Sequence, residues 1–203
     1  MADHPPVNPR KKPRQARAQA TYDAILQAAA RILAEGGIGA LNTNVIADRA
    51  GVSVGSLYQY FPNKAAIVTA LVRDKRARLV HGLNAAAEET LGASLEVALR
   101  ALIAATVRHQ RGWPQLAQAL DRAALLVPMQ GETDALEREI LGVVSGVLAA
   151  HGVARPELSA LDLIGLSRGM IDDAMMRGER DEPALVARVM RAASGYLRVG
   201  DFD

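Results

Sequence analysis

Residues 53–64, SVGSLYQYFPNK, carry side chains that could read a nucleic-acid duplex. Val54 can touch a thymine methyl, and Ser56 and Gln59 can hydrogen-bond to base edges. Gly55 has no side chain, so the backbone beside it can come close to DNA. Tyr58 and Tyr60 carry hydroxyls suited to phosphate oxygens. Lys64 follows Asn63, a potential helix cap, where its charge and the helix N-terminus both favour a phosphate. Tyrosines at this spacing are also ordinary half-buried packing residues, so the chemistry rests on the set and not on either ring.

A second group of polar residues interrupts apolar helix faces further on. Thr106 and His109 extend the stripe of Leu95, Leu99 and Leu102 and point inward if that helix continues. Trp113, Arg122, Met129, Arg168, Asp172 and Met175 could face the same cavity. Each has a structural explanation: an inward histidine is commonly satisfied within a core, Arg168 and Asp172 can pair at i and i+4, and methionines fill gaps. As a set they suit an apolar cavity with a few polar anchors, fit for a hydrophobic or aromatic compound.

Catalysis finds no comparable footing. The four histidines (His4, His81, His109 and His151) are scattered, and none stands in an HExxH or paired metal spacing. His151, next to Gly152, suits a helix C-terminus, where positive charge is favourable. Residues 36–39, Gly-Gly-Ile-Gly, follow a helix and not a strand, so they make no dinucleotide loop, and no serine sits in a GxSxG elbow. The absence of cysteine excludes thiolate chemistry, sulfur-based metal sites and a disulfide scaffold. The expectation is a protein that is not an enzyme and holds no cofactor or metal.

The duplex-reading side chains need two short helices meeting at a tight turn, and residues 41–64 supply both. Asn42 or Thr43 can cap a first helix whose buried side is Val45, Ile46 and Ala50. Gly51 suits the positive φ that closes it, Val52 tucks inward, and Ser53 can cap the second helix. Leu57 and Phe61, at i and i+4, face the core, and Pro62 stops that helix. This is a helix-turn-helix, whose second helix enters a major groove.

Helical periodicity also governs the rest. Ile25, Ala28, Ala29, Ile32 and Leu33 form one stripe, with Gly36 and Gly37 suited to a left-handed cap. Further helices are expected over 43–50, 54–61 and 64–80, and Ser94 can cap the one that carries Leu95. Leu116, Leu120, Ala124 and Val127 make another stripe; Leu136, Ile140, Val143 and Val147 make the next, ended by Gly152. Helices near 157–177 and 183–198 begin beside Pro156 and Pro183. No β alternation persists, so the chain is expected to be all-α, with about nine helices.

Charge divides the chain. Residues 1–80 hold 12 Lys+Arg against 5 Asp+Glu, whereas 81–203 hold 12 against 17. A basic front and an acidic back suggest two modules, the front facing a polyanion. Residues 1–16, with Pro5, Pro6, Pro9, Pro13 and four basic residues, read as a flexible basic arm. No apolar signal region follows it and no apolar run approaches a membrane span, so a cytoplasmic protein without membrane contact is expected.

The helix-turn-helix string closely resembles the N-terminal domain of the TetR/AcrR family of bacterial transcriptional regulators. The shared pattern runs from residues 24–29 and 34–37 through Thr43, Ile46, Ala47 and residues 50–53. It continues through Gly55, Leu57, Tyr58, Tyr60, Phe61 and Lys64, within residues 17–78. The resemblance implies that Thr43, Tyr58, Tyr60 and Lys64 hold phosphates, and that Asn44, Val54, Gly55, Ser56 and Gln59 lie nearest the bases. Ser53, at the head of the second helix, completes this DNA-binding set. Two departures are Asn42, where Ser or Thr is common, and Asn44, where some members carry arginine.

The resemblance further implies a C-terminal all-α domain, residues 79–203, that dimerises and binds a small effector. Its last two helices are the dimer candidates: 158–176 is apolar on more than one face, and Leu185, Val189, Ala192, Ala193, Tyr196 and Leu197 line the final one. The expected function is a repressor that binds a pseudo-palindromic operator as a homodimer and is released by a hydrophobic effector. The alternative is a helical protein-interaction adaptor without DNA binding.

Overall fold

The structure, a computed structural model, describes residues 8–9, 16–112, 116, 119–120 and 130–198. Among them eight helices run in the order α1 (Ala16–Ala40), α2 (Thr43–Ala50), α3 (Val54–Tyr60), α4 (Lys64–Glu89), α5 (Leu95–Arg111), α6 (Gln130–Ala150), α7 (Pro156–Met176) and α8 (Glu182–Arg198). No described residue is in a strand, so the fold is all-α as the periodicity requires. The helix expected through Leu116, Leu120, Ala124 and Val127 falls mostly outside the described residues; Leu116, Ala119 and Leu120 are described and helical. Most of the basic arm also lies outside them.

The chain divides into two compact units. One comprises Met1–Lys75 with Gln115–Gln130, the other Arg76–Pro114 with Gly131–Asp203.

In the first unit the stripe of α1 (Ile25, Ala28, Ala29, Ile32 and Leu33) packs on Ile46 and Ala47 of α2, on Leu57 and Phe61, and on Ile67, Val68 and Leu71 of α4. Each fully buried Ile, Leu, Val or Phe among these contributes about 1.5–3 kcal/mol. The end of α1 departs from a simple left-handed cap. Gly37 takes φ 66° and ψ −169°, a region open in practice to glycine alone, and the chain then turns again to Ala40. A Cβ on Gly36 would meet the Ala40 Cβ at 2.6 Å, so that returning turn also requires glycine at 36. Helix α4 runs past the expected end at 80 to Glu89. Leu83 and Ala86 are buried on its continuing face, and no strong stop arrives before Gly92, at φ 77°.

In the second unit α5, α7 and α8 pack on one another. Helix α5 serves two cores at once. Leu99, Ile103 and Val107 join Leu163, Ile171, Leu185 and Val189, whereas Leu102 and Ala105 meet Leu83 and Ala86 of α4. Helix α6 divides likewise, Val144 and Leu148 to the first of these cores and Val143 and Val147 to the second, with Ile140 against both. Three ends follow the sequence signals: Ser94 Oγ accepts from Val97 N (3.4 Å), Gly152 takes φ 72°, and Pro156 opens α7. The last helix starts at Glu182 and is capped by Asp181, which the sequence reading did not single out; its Oδ1 accepts from Ala184 N (2.9 Å). Helix α7 buries Ala160, Leu163, Ile171 and Ala174, but Leu158 and Leu161 remain 50% and 55% exposed. Among the described residues no helix is long and apolar enough to cross a membrane.

Candidate nucleic-acid interface

The turn between α2 and α3 is fixed by backbone hydrogen bonds that glycine makes possible. Gly51 sits at φ 67°, ψ 32°; its N–H donates to Asp48 O (3.0 Å) and the Val52 N–H to Ala47 O (3.0 Å). This paired 5→2 and 6→1 arrangement satisfies the last carbonyls of α2 and sends the chain directly into α3. Asn42, and not Thr43, caps α2, its Oδ1 accepting from Asn44 N at 2.8 Å. Ser53 Oγ caps α3 by accepting from Ser56 N at 3.0 Å and lies 2.8 Å from Ser56 Oγ. Asn63 Oδ1 accepts from Ala66 N (2.9 Å) at the head of α4, beside Lys64.

With Leu57 and Phe61 fully buried, the opposite side of α3 is left to solvent. Val54, Gly55, Tyr58 and Gln59 are all exposed there, and Ser56 is half-buried with its hydroxyl engaged in the cap. Thr43 Oγ1 and Tyr58 Oη lie 3.3 Å apart, so these two expected phosphate ligands are held together across the turn. Asn44 and Lys64 are exposed. Tyr60 is half-buried, its ring edge-on to Tyr22 at 6.2 Å, while Tyr22 stacks on Phe61 at 4.9 Å; its aromatic body is a packing residue. Burial is the main cause that raises the Tyr22 phenol above its ordinary pKa.

One expected core residue belongs to this surface instead. Val45 is 46% exposed, and Ala47 is buried in its place beside Ile46. On an eight-residue helix, Ile46, Ala47 and Ala50 form the narrow inward face, and Val45 falls a full 100° step outside it. Val45 therefore adds an apolar group to the solvent side of α2.

The polar residues expected around a cavity in the second unit separate into different environments. Thr106 Oγ1 donates to Leu102 O (3.0 Å), back along its own helix. His109 is half-buried, and Met175 packs against the core of α5, α7 and α8. Asp172 Oδ1 accepts from Gln110 Nε2 at 2.9 Å, and Asp172 Oδ2 lies 3.9 Å from Arg168 Nε. Arg168 reaches mainly into solvent, with 73% of its side chain exposed. Trp113, Arg122 and Met129 lie outside the described residues. Gln110, which nothing in its type or spacing marks out, joins the group through Asp172.

His151 ends α6 as its place before Gly152 suggests. Its Nδ1 lies 2.8 Å from Val147 O and its Nε2 3.0 Å from Ala93 O, and these two carbonyl contacts raise its pKa above the usual histidine value. It borders a cavity of about 510 Å³ with Asn84, Glu88 and Thr90. Glu179 accepts both Nη1 and Nη2 of Arg188 (3.0 and 2.8 Å), which lowers the Glu179 pKa and raises that of Arg188. Among the described residues no group of three or more His, Asp or Glu side chains could hold a metal ion.

Comparison with known proteins bears on both halves. Residues 25–71 match the profile of bacterial regulatory proteins of the tetR family, and residues 94–197 match the tetracyclin repressor-like C-terminal domain. The chain is similar to the HTH-type transcriptional repressor KstR of Mycobacterium tuberculosis, with 28% identity over 127 residues, 62% of this chain and 57% of that protein. It is also similar to the fatty acid metabolism regulator protein of Bacillus subtilis, with 32% identity over 78 residues, 38% of this chain and 40% of that protein. The matched stretches thus span less than two thirds of either relative. The crystal structure of FadR from Bacillus subtilis in complex with stearoyl-CoA shares the fold, with a TM-score of 0.71, 22% identity, and coverage of 88% of this chain and 98% of that one.

Proposed function

The chain belongs to the TetR family of bacterial regulatory proteins, and from that membership we propose that it is a DNA-binding transcriptional repressor released by a hydrophobic effector. The observation that carries the reading is the outer face of α3. A capped helix, set by the Gly51 turn, presents Val54, Gly55, Tyr58 and Gln59 to solvent while its other side is locked in the core. Gln59 and Val54 read base edges, Gly55 lets the backbone approach, and Thr43, Tyr58, Tyr60 and Lys64 position phosphates. Asn44 and the solvent-facing Val45 extend the surface along α2. In this reading residues 17–78 form the DNA-binding domain, 1–16 a basic arm, and 79–203 the effector-binding and dimerisation domain.

A homodimer places two α3 helices in successive major grooves of an inverted repeat, about 34–36 Å apart. The dimer forms through α7 and α8, where Leu158 and Leu161 are otherwise exposed apolar side chains. The effector is an acyl compound. Support comes from the FadR structure solved with stearoyl-CoA and from the relative named for fatty acid metabolism. In this reading, binding in the second unit is coupled to DNA through α4, which begins at Lys64, one of the proposed phosphate contacts. Effector and operator must weaken each other by the same factor, because only differential affinity for two dimer states can couple them.

The test is fluorescence anisotropy of a selected operator duplex with increasing stearoyl-CoA and its shorter homologues. Release is expected with a coupling of about 5–150-fold, matched in the reverse titration. Operator affinity that no acyl compound alters would refute the effector class.

A further inference from the structure

Among the described residues of the second unit, two buried side-chain polar atoms have no hydrogen-bond partner, and they are complementary in kind. Arg76 on α4 donates through Nη2 to Thr133 Oγ1 of α6 at 2.8 Å, while its Nη1 is buried without an acceptor. Gln110 on α5 donates through Nε2 to Asp172 Oδ1, and its Oε1 is buried without a donor. The carboxylate can only accept, so it fixes which way the Gln110 amide points. An unmade hydrogen bond at a buried charged donor is rare in native proteins and calls for an occupant.

The topology brings both atoms to one end of the unit. Helices α4 and α5 are joined by the short 90–94 turn and pack through Leu83 and Ala86 against Leu102 and Ala105, so they run antiparallel. Counted from Gly92 in that turn, Arg76 lies 16 residues back and Gln110 18 residues on, at nearly matching depth. Arg76 is bonded to Thr133 near the start of α6, and Gln110 to Asp172 near the end of α7.

We propose that Arg76 and Gln110 form the polar end of the effector site. Arg76 Nη1 donates to an oxyanion, carboxylate or phosphate, carried by an otherwise apolar compound, and Gln110 Oε1 accepts from an adjoining O–H or N–H of the same compound. The inference rests on the effector reading above and specifies its ligand as an acidic amphiphile.

The experiment compares three probes on the full-length protein by calorimetry: saturated fatty acids of various chain lengths, their methyl esters, and their CoA thioesters. The acid or the thioester is expected to bind about tenfold or more tightly than the ester of equal length. Preference for the acid assigns a carboxylate at Arg76, and preference for the thioester assigns a phosphate. In Arg76→Met this preference is expected to vanish while ester affinity holds, and Arg76→Lys is expected to restore part of it. Equal binding of all three probes, no binding by any, or a preference that survives Arg76→Met would overturn the anchor. The probe comparison in the unaltered protein needs no variant to fold. Apo operator binding, measured alongside, reports separately on the regulator reading, and its loss in the unaltered protein would sink that reading instead.

Discussion

Gly55 has only Ser53 Oγ near the position of an added Cβ, at 3.9 Å, so the protein itself leaves room for a larger residue. In the proposed docking, that room is left for the DNA backbone. Gly55→Val is expected to keep native helicity and melting behaviour while operator binding falls below detection. A folded Gly55→Val protein with native affinity would mean that α3 does not approach DNA along this face. Lys64→Ala is expected to weaken binding to all sequences alike and to reduce the slope of log K against log salt by about one. An unchanged slope would remove Lys64 from the phosphate set. The exposed position of these residues was legible because types and spacings recur together over 41–64. Val45 was not, since two turns of helix give too few apolar positions to tell a valine on the inward face from one a single step outside it. Arg76 and Gln110 were illegible for another reason: whether a polar side chain is left unpartnered depends on neighbouring helices, which no spacing encodes.

At the scale of elements, caps and breakers made the ends of helices readable. Asn42, Gly51, Ser53, Ser94 and Gly152 each sit where their chemistry suggests. The extent of α4 was not readable, because Leu83 and Ala86 continue a buried face only once α5 folds back on it. His151 adds a pH-dependent element. A neutral imidazole has one N–H and can donate to only one of Val147 O and Ala93 O, whereas the doubly protonated ring donates to both. The folded pKa is therefore raised, and the stabilisation is complete below the unfolded value of about 6.5 and is lost as pH rises through the folded one. Hydrogen exchange of the 90–94 amides, corrected for intrinsic rate, is expected to show protection falling across that window. His151→Ala is expected to abolish the trend, and protection independent of pH in the unaltered protein would contradict the clamp.

For the whole molecule, the uneven charge and the exposed leucines of α7 ask for different partners. The basic front, with 12 Lys+Arg against 5 Asp+Glu over residues 1–80, suits a polyanion, and Leu158 and Leu161 suit a second copy of the chain. Leu161→Asp places a charge where two apolar faces would meet. It is expected to shift sedimentation toward monomer and to lower operator affinity by tenfold or more, on the order of the loss of one of two half-sites. A Leu161→Asp dimer of native stability would remove α7 from the interface.

Recognition of an inverted repeat in duplex DNA through α3 underlies everything proposed for this chain. It is tested by selection of binding sites from random duplexes, repeated at two salt concentrations. Enrichment of an inverted repeat with half-sites about 10 base pairs apart, with affinity falling steeply as salt rises, is the expected result. Recovery of no common sequence at either salt, or of one whose affinity ignores salt, would contradict it.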